Sequence, residues 1–243
     1  SFSYANGEEA VLKDIDFSCH KGQKIAVIGS TGSGKSTLVK LMNRFYDVSR
    51  GMIEINGVDI RKYDLESLRA QIGYVAQKAH MFKGSIQSNI CFGKPDASDE
   101  EMVHAATVAQ ASDFISKREH GYLDEIAEDG TNISGGQKQR LSIARVILKK
   151  PSLYIYDDSF SALDFKTDAT LRKALKPEVK DAIFFVVAQR ISTIMDSDMI
   201  IVLDEGQIIG MGTHTQLLKD CRVYQEIAHS QLTQKELDDY ERN

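Results

Sequence analysis

The stretch GSTGSGKST, Gly29 to Thr37, leaves few architectures open, because it satisfies G-x-x-x-x-G-K-[ST] at Gly29, Gly34, Lys35 and Ser36. Lys24-Ile-Ala-Val-Ile-Gly29 before it is a short apolar run of the kind that forms a buried strand. After it, Leu38, Leu41, Met42 and Phe45 fall at helical spacing, which predicts a helix over Ser36 to Phe45. A strand that passes through a glycine-rich turn into a helix is an anion cradle. The glycines let the N–H groups of Ser30, Thr31, Gly32 and Ser33 curl around phosphate oxygens without Cβ clashes. The helix N-terminus behind them adds a favourable dipole. In that arrangement Lys35 contacts the β- and γ-phosphates, Ser36 offers its hydroxyl to magnesium, and Thr37 completes the cradle.

Further apolar runs at Ile72–Ala76, Leu153–Tyr156, Ile183–Val187 and Met199–Leu203 are bounded by polar turns. Their alternation with helical segments predicts an α/β protein with a mostly parallel sheet. Between Gln77 and Pro151 the strands are expected to stop, with helices over Asp99–Gln110 and Ser134–Lys149. The polar tail after Ala228 reads as a short exposed helix or as disorder. The longest apolar stretch, Ala182–Ala188, is far too short for a bilayer, which needs about 20 residues. A net charge of −5 argues against a duplex-binding surface, so no nucleic-acid partner is expected. Cys19, Cys91 and Cys221 are odd in number and share no metal-ligand spacing, which reads as buried or free thiols in a reducing compartment. No signal peptide is visible. The chain starts Ser1-Phe2-Ser3-Tyr4, and it is expected to be a piece of something longer.

The segment NISGGQKQR, Asn132 to Arg140, narrows the reading. A serine and two glycines opening a helix can bind an anion, and equally can be an ordinary N-cap. Together with the phosphate loop before it and YIYDD after it, the chain resembles the nucleotide-binding domain of ABC transporters over nearly its whole length. Ser134, Gly135, Gly136 and Gln137 match the family's signature, with Ile133 in place of the usual leucine. The resemblance implies that two such domains pack head to tail, each signature covering the nucleotide held by the other. It implies a P-loop NTPase fold of the ABC ATPase type: a mostly parallel core sheet, an antiparallel β subdomain and a helical subdomain. On this basis residues 1–77 and 150–229 form core and β subdomain, 78–149 the helical subdomain and 230–243 a C-terminal tail. It also implies ATP and magnesium as cofactors, and a place on the cytoplasmic face of a membrane.

Site roles follow by resemblance, residue by residue. Tyr4 looks like the adenine-stacking aromatic; Gln77 lies at the glutamine loop, which senses magnesium and touches the membrane half. Ser161-Ala-Leu-Asp164 matches the D-loop. Met81–Ile90 and Glu125–Gln137 are most similar to exporters, where Glu128 would meet the coupling helices of the transmembrane domains. Asp129 departs from the usual arginine of that segment.

Two further departures lie at the chemical centre. Asp157 matches the carboxylate that holds magnesium through water, but the next residue is Asp158 where most members have glutamate. Aspartate and glutamate differ little in basicity. Aspartate is shorter by one methylene, and a displacement of about 1 Å can cost about a hundredfold in rate, or roughly 2.7 kcal/mol of barrier. Gln189 stands where most members carry the histidine that contacts the γ-phosphate; an amide can donate a hydrogen bond but cannot carry charge. Together these resemble the degenerate site of a heterodimeric exporter, with weak hydrolysis at its own site and a second, different chain as partner. The alternatives are an active ATPase of a homodimeric exporter and a soluble ABC-type DNA-repair ATPase, the latter disfavoured by the acidic balance.

Overall fold

The computed structural model describes residues 1–5 and 9–232. In chain order the first elements are β1 (Lys24–Gly29), α1 (Lys35–Met42), β2 (Glu54–Ile55), β3 (Val58–Asp59), α2 (Leu65–Ala70) and β4 (Ile72–Val75). Then come β5 (Gly84–Ser85), α3 (Ile86–Ile90), α4 (Asp99–Val108), α5 (Ser112–Ile115), β6 (Glu125–Ile126), α6 (Gly135–Lys149) and β7 (Leu153–Asp157). The last are α7 (Phe165–Glu178), β8 (Ile183–Val187), α8 (Ile191–Ile194), β9 (Met199–Asp204), β10 (Gln207–Gly212), α9 (His214–Asp220) and α10 (Arg222–Gln231). The chain divides into two compact units, Ser1–Ile72 with Ile183–Asn243, and Gly73–Ala182.

In the first unit the strand order is β10-β9-β1-β8. β1 pairs in parallel with β8 and β9, and β10 closes the edge antiparallel to β9. Ile25 to Ile28 are buried, as are Phe184 to Val187 and Ile200 to Leu203. A strand apolar on both faces is what a covered parallel sheet requires. β2 and β3 form a separate antiparallel pair. Helix α1 is shorter than its apolar spacing predicts. It ends at Met42, Arg44 turns to φ 49°, and Phe45 is left 48% exposed under the guanidinium of Arg69.

In the second unit β7 lies beside β4, and α6 buries Leu141, Ile143, Ala144, Val146, Ile147 and Leu148. The expectation that strands stop between Gln77 and Pro151 is corrected here: β5 and β6 pair antiparallel within that stretch. Each is two residues long, too short to show a period in sequence. Cys19, Cys91 and Cys221 form no disulfide. Helix α10 carries the start of the polar tail to Gln231; residues 233–243 lie outside the described residues.

Two hairpins of the first unit use the same turn in different surroundings. Asn56 and Gly57 (φ 54° and 74°) join β2 to β3, and Glu205 and Gly206 (φ 44° and 79°) join β9 to β10. Positive φ at both central residues is the two-residue turn that matches strand twist. A Cβ on Gly57 meets nothing within 4 Å, whereas one on Gly206 would lie 2.2 Å from the Val11 carbonyl oxygen. Gly57→Ala should therefore cost only the left-handed backbone penalty, about 1–2 kcal/mol. Gly206→Ala should cost about 3–5 kcal/mol, because overpacking adds to it. Urea denaturation midpoints of the two variants check the difference.

Candidate functional site

The phosphate-loop residues sit at the carboxyl end of β1, where parallel sheets of this class place their ligands. The register pairs Gly29 with Leu203 of β9, and a Cβ at Gly29 would lie 2.0 Å from the Leu203 carbonyl oxygen. Only glycine lets the chain leave the strand there. Gly34, at φ 102°, is the N-cap of α1 and offers no capping side chain to the first amides of the helix. The Lys35 ammonium is gathered over the loop, donating to the Gly29 carbonyl (2.8 Å), the Ser30 carbonyl (2.6 Å) and Ser33 Oγ (3.3 Å). Ser33 and Thr37 are buried, and Thr31, Gly32 and Ser36 are exposed.

Tyr4 reaches the same helix, its hydroxyl 3.2 Å from Thr37 Oγ1. Its ring stands edge-on to Phe2 (4.8 Å) and Tyr46 (5.2 Å), a small aromatic cluster beside the cradle. Gln189, exposed, lies two residues beyond the end of β8, and β8 runs in register with β1 through Val187 opposite Val27. The first unit thus brings Tyr4, the loop and Gln189 to one end of the sheet.

Sequence reasoning missed the turn that supports this loop. Asp204 Oδ1 accepts from Ser30 Oγ (3.2 Å), and the Gly206 amide donates to the Ser33 carbonyl (3.2 Å). The signal was present as Asp-Glu-Gly between two apolar runs, but only the sheet order puts it under the loop.

In the second unit Asp157 ends the fully buried β7 and Asp158 follows it, and the two are only 6% and 8% exposed. Buried carboxylates need partners. The Tyr74 hydroxyl donates to Asp157 Oδ2 at 3.4 Å. Burial, then the Asp157 charge and this hydrogen bond, push the Tyr74 phenol up to about 12. Gln77 Nε2 donates to Asp158 Oδ2 at 3.1 Å, so these two candidates are in contact. Asp158 takes φ 46°, and its carbonyl accepts from Ser161 Oγ at 2.7 Å. Gln139, buried on the apolar face of α6, donates to the Ala76 carbonyl (3.1 Å) and so secures the base of the Gln77 loop. Gln139 lies four residues before Ile143, and a polar residue at that helical spacing was its only sequence signal.

The signature residues form a capping box at the head of α6. Ser134 Oγ accepts from the Gln137 amide (3.2 Å), and Gln137 Oε1 accepts from the Ser134 amide (3.0 Å). Ser134 and Gly135 are exposed, and a side chain on Gly135 would project into open space; Gly136 lies closer, to the Ala162 carbonyl oxygen. Asp164 is a second N-cap: its carboxylate accepts from the Thr167 amide (3.0 Å) and hydroxyl (2.7 Å). Asp129 sits at φ 54°, a conformation aspartate tolerates, and its carbonyl accepts from Lys138 Nζ at 2.7 Å.

These elements define a phosphate-loop nucleotide-binding class of protein with an ABC ATPase fold, and comparison with known proteins agrees. A family model described as ABC transporter matches residues 12–161. YgaD of Bacillus subtilis, named for multidrug export as an ATP-binding/permease protein, is 46% identical over 218 residues, 90% of this chain and 38% of its own. An ABC transporter ATP-binding protein of Mycobacterium tuberculosis is 44% identical over 234 residues, 95% of this chain and 40% of its own. A solved structure of a bacterial Atm1-family ABC exporter with ATP bound superposes with TM-score 0.91 at 37% identity, covering 94% of this chain and 40% of that one. The chain belongs to the ABC transporter family. It spans about 40% of the length of these relatives.

The Asp164 cap makes a pH-dependent contribution of known sign. Its hydrogen bonds to Thr167 hold the carboxyl below the usual range, so the stabilisation is complete above the unfolded value and is lost as pH falls through the lower folded one. Asp164→Ala should be less stable than the parent at pH 7, with the gap narrowing below about pH 4. Asp164→Asn should keep the cap without that acid dependence. Thermal unfolding across pH 3 to 7 reads both.

Proposed function

We propose that this chain is the ATP-binding domain of an ABC exporter half-transporter, and that its own nucleotide site is degenerate. The observation that carries the reading is the contrast between the phosphate loop and the residues in the catalytic positions. The phosphate loop is complete, with Lys35 held over it. The carboxylate in the position of the water-polarising residue is the short Asp158, engaged by the Gln77 amide, and Gln189 stands where a histidine would act.

The residues fit ATP and magnesium. Gly29 to Thr37 supply main-chain donors and one ammonium for the phosphates, and Tyr4 supplies a ring for the base, where stacking is worth roughly 1–3 kcal/mol. By the family resemblance Ser36, Asp157 and Gln77 are the residues that would offer oxygens to magnesium, and each is of a type suited to a hard cation. Among the described residues no cluster of three His, Cys, Asp or Glu side chains could hold a metal by itself, so the ion would take its remaining ligands from phosphate and water. A magnesium ion held by these residues would supply positive charge against the phosphate oxygens.

The partner in this reading is a second nucleotide-binding domain, a different chain, packed head to tail. Its site is completed by Ser134, Gly135, Gly136 and Gln137 of this one, with Asp164 at the shared boundary. Hydrolysis then falls mainly to the partner's site. Gln77 and Glu128 meet the coupling helices of the transmembrane domains on the cytoplasmic face. The exposed stacked rings of Phe82 and Phe92 (4.4 Å), with Arg145 over both, suit an apolar contact in the same region. Relatives named for multidrug export and the net charge of −5 favour this over a DNA-repair ATPase.

Calorimetry on the full-length protein should show Mg·ATP binding that Lys35→Ala largely abolishes; unchanged affinity would remove the cradle assignment. In the assembled transporter Asp158→Asn should lower total ATPase only modestly, by about twofold or less, whereas Gly135→Trp should lower it by about a hundredfold or more, as loss of transition-state donors does. The reverse order would point instead to an active site here and a homodimeric exporter.

A further inference from the structure

Gln231, the last residue of α10, has its side-chain amide set across the main chain that follows β8. Its Nε2 donates to the Gln189 carbonyl at 2.8 Å, and its Oε1 accepts from the Ile191 amide at 2.8 Å. The two bonds run in opposite directions and bracket Arg190, so the primary amide plays the part of a peptide in a neighbouring strand. The Ile191 amide is the first of α8, a helix whose N-cap, Arg190, offers it no side-chain bond. An orphan amide of this kind needs an acceptor, and α10 provides it from a distance in sequence.

Both ends of this clip are anchored. α10 is held by Tyr224 and Ala228, both buried, and the Tyr224 hydroxyl lies 2.6 Å from His214 Nδ1. On the other side Ile191, Thr193 and Ile194 are buried, and the Ala188 amide donates to the Val27 carbonyl at 3.1 Å. Between these anchors Gln231 holds the Gln189 carbonyl and the Ile191 amide. Gln189 stands at the same strand end as Gly29, because β8 and β1 run parallel in register to Val187 and Val27.

We infer that Gln231 is a positioning residue: by fixing the main chain of residues 189–191 it aims Gln189 at the terminal phosphate of the nucleotide. This rests on the reading of the site given above. The consequence is specific. ADP lacks the group Gln189 would contact, so the clip should matter for ATP and not for ADP. Leucine at 231 offers neither bond, and glutamate keeps the acceptor for Ile191 but loses the donor and faces the Gln189 carbonyl with a carboxylate.

The test uses the full-length protein in its assembled complex, with the partner's phosphate-loop lysine replaced by alanine so that only this site binds. Affinities for Mg·ATP and Mg·ADP, and hydrogen exchange at the Ile191 amide without nucleotide, are measured for Gln231→Leu, Gln231→Glu, Gln189→Ala and the Gln189→Ala/Gln231→Leu double variant. In Gln231→Leu the Ile191 amide should exchange about tenfold faster or more. Its preference for ATP over ADP should fall about fivefold, the scale of a misaligned hydrogen bond to a charged group. ADP affinity should not change. Gln231→Glu should lose the preference similarly while protecting Ile191 better than leucine does. Gln189→Ala should lose as much preference, and the double variant no more than either, because one residue acts through the other. Equal weakening of ATP and ADP, additive effects in the double variant, or unchanged Ile191 exchange would overturn the positioning role. An unchanged preference in Gln231→Leu beside a lowered one in Gln189→Ala would overturn it while leaving the site reading intact. An unchanged preference in Gln189→Ala would instead remove Gln189 from the site, and the proposal with it.

Discussion

The parallel ladder of β1 with β8 on one side and β9 on the other is what the first unit depends on. It brings three strand ends to one rim, so that the glycine-rich loop, the residues after Val187 and the turn after Asp204 meet there. The fit is close: at Gly29 the chain passes so near the Leu203 carbonyl that no side chain can stand between them. From that contact the loop takes its direction, Lys35 its place over the loop carbonyls and Ser30 its bond to Asp204. Contacts that order a loop before binding lower the entropy that binding must remove.

The second unit is governed by a different constraint, the placing of two carboxylates at the end of a strand from which solvent is nearly excluded. Burial of that kind demands hydrogen-bond partners, and the neighbours are chosen accordingly. Tyr74 serves Asp157, Gln77 serves Asp158, and Ser161 holds the left-handed turn at the Asp158 carbonyl. Gln139 then ties the Gln77 loop to α6, the helix that Ser134 and Gln137 begin. Within this unit, side chains expected to touch nucleotide and side chains that only secure the backbone thus share one strand end, one loop and one helix.

Capping is the second use to which several candidate residues are put. Ser134, Gln137 and Asp164 were singled out for a resemblance, and each satisfies helix amides within its own chain. The two roles are compatible in principle, since a cap leaves an exposed helix start, and Ser134 and Gly135 are exposed. Gln231 shows the same economy at a distance, capping α8 from another helix while bonding the Gln189 carbonyl.

Some of this was legible in the residues alone. Apolar runs such as Lys24–Gly29 and Ile183–Val187 became strands, because a stretch buried on both faces has no polar residue to expose. The phosphate loop and the capping residue Ser134 were readable because local geometry needs glycine and a small hydroxyl at fixed spacing. Helix ends were less so: α1 stops before Phe45, where the backbone at Arg44 turns left-handed, and β5 and β6 exist only by pairing with each other. The contacts of Asp204, Tyr74, Gln139 and Gln231 had no local signature. Each joins residues far apart in the chain, and a hydrogen bond of that kind has no periodicity to betray it. Sequence alone determined which chemistry the chain could support, since residue type and short-range spacing decide that. Which polar side chains hold Asp157, Asp158 and Gln189 in place was decided only by the tertiary structure, because strand register and helix packing alone bring such partners within bonding distance.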